Sequence, residues 1–396
     1  MALRSINMDT LNRENTAGGL LKQETKSVKT GRQALGDIKN RVGAVKNVST
    51  RGAVKKQNSL KLKEEKPTKN LLRSKSTVSL VTVPENDKSE KVDCILMDIS
   101  TSDDDNAFSS HLLPDNVKNI DAEDVDNPQL VSDYVNDIYN YLRDLEAQYS
   151  IKENHLGKQS QISGRMRSIL VDWLVSVHQR FHLLQETLYL TIAILDRFLQ
   201  ESKVERCKLQ LVGVTCMFIA SKYEEMYAPE IGDFVYITDN AYTKKDILKM
   251  ECLILRVLEF NLGRPLPLHF LRRDSKAGNA DVMMHTLAKY LMELTLPEYH
   301  MAHISPSQLA AASLCLAMKL LDKAPWTETL TYFSNYNELQ LKSVMKQLCI
   351  LVLKVDSSKM QAVRLKYSSN KLMKISLIPE LKSVLVKEMA GAFEKS

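Results

Sequence analysis

The chain has two textures. No Phe, Tyr or Trp occurs before Phe108, and the apolar residues of that stretch gather only in brief clusters such as Val78–Val83 and Cys94–Met97, too short to fold alone. From Asn127 the pattern becomes periodic. Leu130, Tyr134, Ile138, Tyr141 and Leu145 recur at three- and four-residue steps behind Pro128, a residue suited to a first helical turn. That spacing predicts a helix with one apolar-aromatic stripe. Residues 147–161 read as a polar connector. A first helical series follows: from Ser163 to about Phe181, then Glu186–Leu199, Leu209–Glu224, a short piece around Ile231–Tyr236 behind Pro229, and Lys244–Leu258. Gly263, Pro265 and Pro267 punctuate the chain. A second series runs Leu268–Ser275, Val282–Thr295, Pro306–Leu321, Thr327–Phe333 and Glu338–Lys354.

The third members of the two series share a texture, Leu211–Lys222 (LVGVTCMFIASK) and Leu309–Leu320 (LAAASLCLAMKL). A helix apolar on every side is buried. Gly213, Ala310, Ala311 and Ala312 would let neighbouring helices approach closely. The prediction is an all-α protein: two repeats of five helices, each wrapped around one central helix, preceded by an N-terminal helix and a long disordered tail. The expected divisions are 1–120 (tail), 121–161 (helix and connector), 162–262 (first repeat), 263–385 (second repeat) and 386–396 (C-terminal tail).

Composition sharpens the tail. A segment so long without aromatics buries too little area to offset its ordering entropy. Residues 1–75 carry 18 Lys/Arg against 6 Asp/Glu, and residues 76–135 carry 14 Asp/Glu against 3 Lys/Arg. A basic tail beside an acidic hinge reads as a solvated spacer. Basic runs attract phosphate non-specifically, but the tail has no aromatics to stack on bases. No specific nucleic acid is expected as a partner. The six cysteines form no CxxC spacing, and Cys216, Cys252, Cys315 and Cys349 sit in apolar helical runs as small hydrophobes. Neither a signal peptide nor a membrane span is read, so a soluble intracellular protein without membrane insertion is expected. There is no glycine-rich phosphate loop, no Gly-x-Ser-x-Gly elbow and no His/Cys/carboxylate cluster at ligand spacing. These absences argue against an enzyme and against any metal or cofactor.

Two features point to binding. On the helix after Ser163, Met166, Leu170 and Trp173 share one face while Ile169 and Val177 form a neighbouring one. Periodicity alone leaves open whether this helix is simply central or keeps one stripe as a docking groove. Arg167, Asp196, Lys222 and Glu251 are charges inside apolar helices, which demands pairing or a partner.

The run MRSILVDWLVSVHQRFHLLQETLYLTIAILDRFL, the segment KLQLVGVTCMFIASKYEE and the following FVYITDNAYT resemble the cyclin box. DYVNDIYNYLRDLE and FNLGRPLPLHFLRR resemble B-type, G2/mitotic cyclins in particular. The resemblance spans roughly residues 125–385. It implies a regulatory subunit that activates a mitotic cyclin-dependent kinase and contributes no catalytic group. It implies kinase contacts at Lys222, Glu251, Tyr223, Phe260, Ile219, Tyr134 and Ile138. It implies a groove for Arg-x-Leu substrates at Met166, Ile169, Leu170, Trp173, Leu209 and Gln210, and a structural pair in Arg167 and Asp196. Ser168 stands where the family usually has Ala; its hydroxyl can bond back to the preceding turn. In the tail, RQALGDIKN resembles a destruction box, implying capture by the anaphase-promoting complex ubiquitin ligase through Arg32, Leu35, Ile38 and Asn40, beside candidate acceptor lysines. Lys152-Glu153-Asn154 matches a KEN box, though beside folded helices the match reads as chance. The family implies movement between cytoplasm and nucleus. Two cyclin-like repeats also occur in general transcription initiation factors, but those usually carry a zinc ribbon, whose CxxC is missing here.

Overall fold

In the computed structural model, residues 113–321 and 325–391 are described. Their regular structure is all helical, with no strand among the described residues. The helices are α1 Val135–Gln148, α2 Gly164–Arg180, α3 Gln185–Glu201, α4 Leu209–Glu224, α5 Ile231–Ile237, α6 Lys244–Val257, α7 Pro267–Ala277, α8 Val282–Leu294, α9 Pro306–Leu320, α10 Glu328–Ser334, α11 Glu338–Lys354, α12 Ala362–Tyr367 and α13 Val384–Met389.

The ten helices α2–α11 form the two expected repeats. Each repeat has one helix sunk in its middle. Leu211–Ser221 of α4 and Leu309–Met318 of α9 are buried at every position, as their unbroken apolar sequences require. An added Cβ at Gly213 would lie 2.9 Å from Leu170 Cδ1, so a larger residue there would have to push the Leu170 side chain of α2 aside. Capping fixes the starts. Ser163 Oγ accepts from the Met166 N–H, while Thr243 with Asp246 and Asn337 with Gln340 close reciprocal boxes at α6 and α11. Pro267 and Pro306 open α7 and α9, where their missing N–H matters least.

Five expectations need correction. The helix placed from Pro128 begins only at Val135, and Leu130 lies in the turns before it. Its apolar stripe is also inverted: Leu130, Tyr134, Ile138 and Tyr141 are exposed. The inward face is Tyr139, Leu142 and Glu146. Tyr139 Oη donates to the His269 carbonyl at 2.9 Å, and Glu146 accepts from Ser307 N and Oγ, capping α9. A carboxylate suits a helix N-terminus, which is why the polar residue turned inward.

The acidic hinge is not a free spacer from residue 113 onward. The Arg273 guanidinium donates to both Asp121 oxygens at 2.6 Å, Lys276 bonds Asp121 and Asp124, and Lys118 N donates to Thr329 Oγ1. The segment is strapped to the second repeat by charge, a long-range pairing that local composition does not reveal. At the other end, Val386 is fully buried within α13, so the second repeat runs past residue 385. Cys252 is exposed on α6, unlike buried Cys216, Cys315 and Cys349. Residues 1–112, with the destruction-box segment and its neighbouring lysines, lie outside the described residues.

Candidate kinase and substrate interfaces

Two faces of the first repeat carry the residues singled out in the sequence. The first gathers around the end of α4. Lys222 Nζ bonds Glu251 Oε1 of α6 and lies 4.2 Å from the Phe218 ring centroid. The lysine is thus aimed across the mouth between α4 and α6 while remaining half open to solvent. Beside it Tyr223 is 57% exposed, and Phe260, in the turn after α6, is 67% exposed. The Tyr223 side chain reaches the stretch just past that turn: a Cβ at Gly263 would sit 4.0 Å from its hydroxyl.

The turn that presents Phe260 is strained. Glu259 and Phe260 have φ of 51° and 60°, a left-handed conformation that costs a non-glycine residue about 1–3 kcal/mol. Arg197 holds it, donating to the Asn261 carbonyl at 2.5 Å while its guanidinium covers the Tyr149 ring just beyond α1. The rim of the first repeat and the end of α1 are thereby fastened together. Exposed Tyr134, Ile138 and Tyr141 continue the outer stripe of α1. Ile219 belongs elsewhere. It is buried in the α4 core, so its side chain offers no surface. Met226 and Tyr227, in the loop after α4, are almost wholly exposed and were missed because they follow the end of the periodic pattern.

The second face is α2. Ile169 is exposed, Met166, Trp173 and Gln210 are half-buried, and Leu170 and Leu209 are buried beneath them. The helix is therefore part core and part surface, with Ile169 exposed and Leu170 buried.

The reverse side of α2 is pinned to the second repeat along its length. Arg167, 1% exposed, donates Nε and Nη2 to Asp196 at 2.5 and 2.6 Å and Nη1 to the Leu296 carbonyl at 2.9 Å. Ser168 Oγ lies 3.1 Å from the Gly164 carbonyl but 2.6 Å from that of Pro297, so the hydroxyl that the sequence read as a local bond also reaches the next repeat. One turn on, Asp172 Oδ1 accepts from Ala362 N at 2.9 Å. Burial raises the Asp196 carboxyl, but the Arg167 guanidinium outweighs it and holds the pKa at about 2. Asp172, with only a backbone donor against burial, is raised. Asn154 of the KEN-like triplet accepts from Tyr299 Oη at 3.0 Å and sits in a turn, held to the same seam. No cluster of His, Cys, Asp or Glu fit to hold a metal occurs among the described residues. No helix among them is long and apolar enough to cross a membrane.

Two family models match in tandem: the cyclin N-terminal domain over residues 137–263 and the cyclin C-terminal domain over 265–381. A G2/mitotic-specific cyclin-B of Patella vulgata is 54% identical over 92% of this chain and 92% of its own length. This chain belongs to the B-type, G2/mitotic cyclin family. The cyclin-B of Spisula solidissima is 66% identical over 72% of this chain and 66% of its own length, and the cyclin-B2 of Anguilla japonica is 48% identical over 99% and 98%. The model boundary at residues 263–265 coincides with the Gly263–Pro265 punctuation between this cyclin's repeats. The family model for the second repeat extends to residue 381, well past α11, in keeping with the buried short elements found there.

Proposed function

We propose that this cyclin binds a cyclin-dependent protein kinase through the α4–α6 face and the outer stripe of α1, and that it activates the kinase to drive entry into mitosis. The carrying observation is exposed Tyr223, next in the chain to Lys222 of the Lys222–Glu251 pair, together with exposed Phe260 in the turn after α6. Large aromatics left in water beside a half-exposed charge pair are what a partner's apolar element would cover. The kinase supplies all catalytic groups. The cyclin acts by favouring one arrangement of the kinase's regulatory helix and activation loop. Lys222→Ala with Glu251→Ala is expected to abolish histone-kinase activation by the full chain with its helicity retained. Because Lys222 is half exposed, stability should fall by only about 1 kcal/mol. Full activation by the double variant would refute this interface.

Met166, Ile169, Trp173 and Gln210, over Leu170 and Leu209, would form a groove that concentrates Arg-x-Leu substrates at the kinase. Arg32, Leu35, Ile38 and Asn40 would present an extended degron to the anaphase-promoting complex, ending activity at mitotic exit. Shuttling between cytoplasm and nucleus belongs to the same proposal.

A further inference from the structure

The second repeat holds a polar pocket that the kinase and substrate faces do not use. It lies between the end of α11, α12 and the start of α13, over Tyr290 of α8, and has a volume of about 270 Å³. Arg364, Lys382 and Lys387 line it, together with the carboxylate of Asp356. Arg364 Nη2 and Lys382 Nζ each take one oxygen of Asp356, at 2.6 and 3.0 Å. Lys382 foremost, with Arg364, holds that carboxyl below its ordinary range. Both oxygens of Asp356 are thus engaged, and three cations facing one carboxylate leave an excess of two positive charges.

Two donors of the pocket have nothing to bond. Tyr290 is fully buried, and its Oη has no hydrogen-bond partner among the described residues; nor has the buried Nε of Arg364. Burial raises the Tyr290 phenol above its ordinary range, against the pull of Arg364, so it stays an O–H donor. The charges that act on it, Arg364 and Asp356, both line this pocket, which puts the hydroxyl on the pocket side of the ring. A buried donor without an acceptor is costly, and native folds seldom leave one unless a water or an ion completes it. Val352 and Leu381 add apolar wall, where a charged hydrogen bond is stronger than in water. Free donors, a cationic surplus and a carboxylate already spent call for an anion.

We propose that this pocket binds a phosphate monoester, with Tyr290 Oη and Arg364 Nε donating to its oxygens and Lys382 and Lys387 facing its charge. A phosphate monoester carries close to two negative charges at neutral pH, which matches the surplus. Its oxygens suit the planar fork of a guanidinium. Lys382 and Lys387 are exposed while Tyr290 is buried, so the phosphoryl group sits inward and the organic part of the ester points to solvent. The phosphoryl chemistry is the same whether that part is a small metabolite or a phosphorylated protein chain.

Titration calorimetry of the full-length chain tests this, with inorganic phosphate, glycerol phosphate, a phosphoserine peptide and succinate as probes, at an ionic strength held constant with chloride. Inorganic phosphate should bind and compete with both esters. Tyr290→Phe should weaken it about fivefold, and Arg364→Gln by more than about tenfold. Lys387→Gln, a change at an exposed position that leaves the fold intact, should weaken it about threefold. Without phosphate, Tyr290→Phe should unfold no more readily than the parent, because its Oη has no partner to lose. Tighter binding of one ester than of inorganic phosphate supports the proposal and shows whether a metabolite or a protein chain supplies the group. Absence of phosphate binding would overturn it and leave the two donors to ordered water. So would equal affinity in Tyr290→Phe and the parent, or succinate binding as tightly as phosphate.

Discussion

Asp196 in the first repeat and Asp274 in the second are buried to the same depth and treated in opposite ways. In the first, Asp196 meets the Arg167 guanidinium in a two-bonded pair that also reaches across to Leu296. Its pKa is held at about 2. In the second, Asp274 is buried beside Arg273, but that guanidinium is turned to Asp121 of the N-terminal strap. Asp274 Oδ2 has no hydrogen-bond partner among the described residues, and burial pushes the carboxyl up to about 8, against the weaker pull of Arg143 and Arg273. A buried charge persists where its partner is committed to it. Where the partner is recruited by another segment, the acid keeps its proton instead. The first repeat uses its cation to hold the joint behind the docking helix. The second uses its cation to anchor the chain arriving from the tail.

This contrast breaks most readily at Arg167. Arg167→Ala would leave Asp196 charged and buried and release the Leu296 carbonyl. Urea unfolding should show a loss of about 3–5 kcal/mol, and an effect under about 1 kcal/mol would mean that the pair does not hold the repeats together.

Asp274 gives a smaller effect with a pH signature. Its folded pKa, about 8, lies above the ordinary value of 3.8. Its contribution to stability is therefore complete below the ordinary range and is lost as pH rises toward 8, because the unfolded chain ionises first. Asp274→Asn should remove that loss. Relative to the parent, the variant should gain a few kcal/mol between about pH 4 and pH 8. Asp196 has the opposite sign: its contribution holds above the ordinary carboxylate range and disappears only as pH falls through about 2. A stability difference between Asp274→Asn and the parent that did not change with pH would show that Asp274 is ionised in the fold.

The smallest effect tests the outer side of the pinned helix. Trp173 is half-buried over the floor of Leu170 and Leu209. Trp173→Ala should weaken an Arg-x-Leu peptide about tenfold, or ~1.4 kcal/mol. Phosphorylation of a simple peptide lacking the motif should be unchanged; equal loss on both would indicate damage to the α2 core rather than to a groove.

The helices of both repeats were legible because each has a period of its own and, in most cases, a cap or proline at its start. Lys222 and Glu251 could be picked out because charges in apolar helices stand out locally, whereas Tyr223 and Phe260 entered only through the resemblance to cyclins. Ile219 could not be separated from Tyr223 on those grounds, since α4 is apolar all round and its sequence marks no outer face. Ser168 was legible as a local bond and illegible as a bridge, because the Pro297 carbonyl is 129 residues away.

The sequence by itself determined that this protein is helical, doubled and cyclin-like, since periodicity, capping and motif are properties of neighbouring residues. It did not decide which face of α1 points inward, or that Asp121 captures Arg273 and leaves Asp274 protonated. Those outcomes depend on which distant groups compete for one buried cation or one helix end. Such a competition is resolved only when the two repeats and the strap are packed against one another.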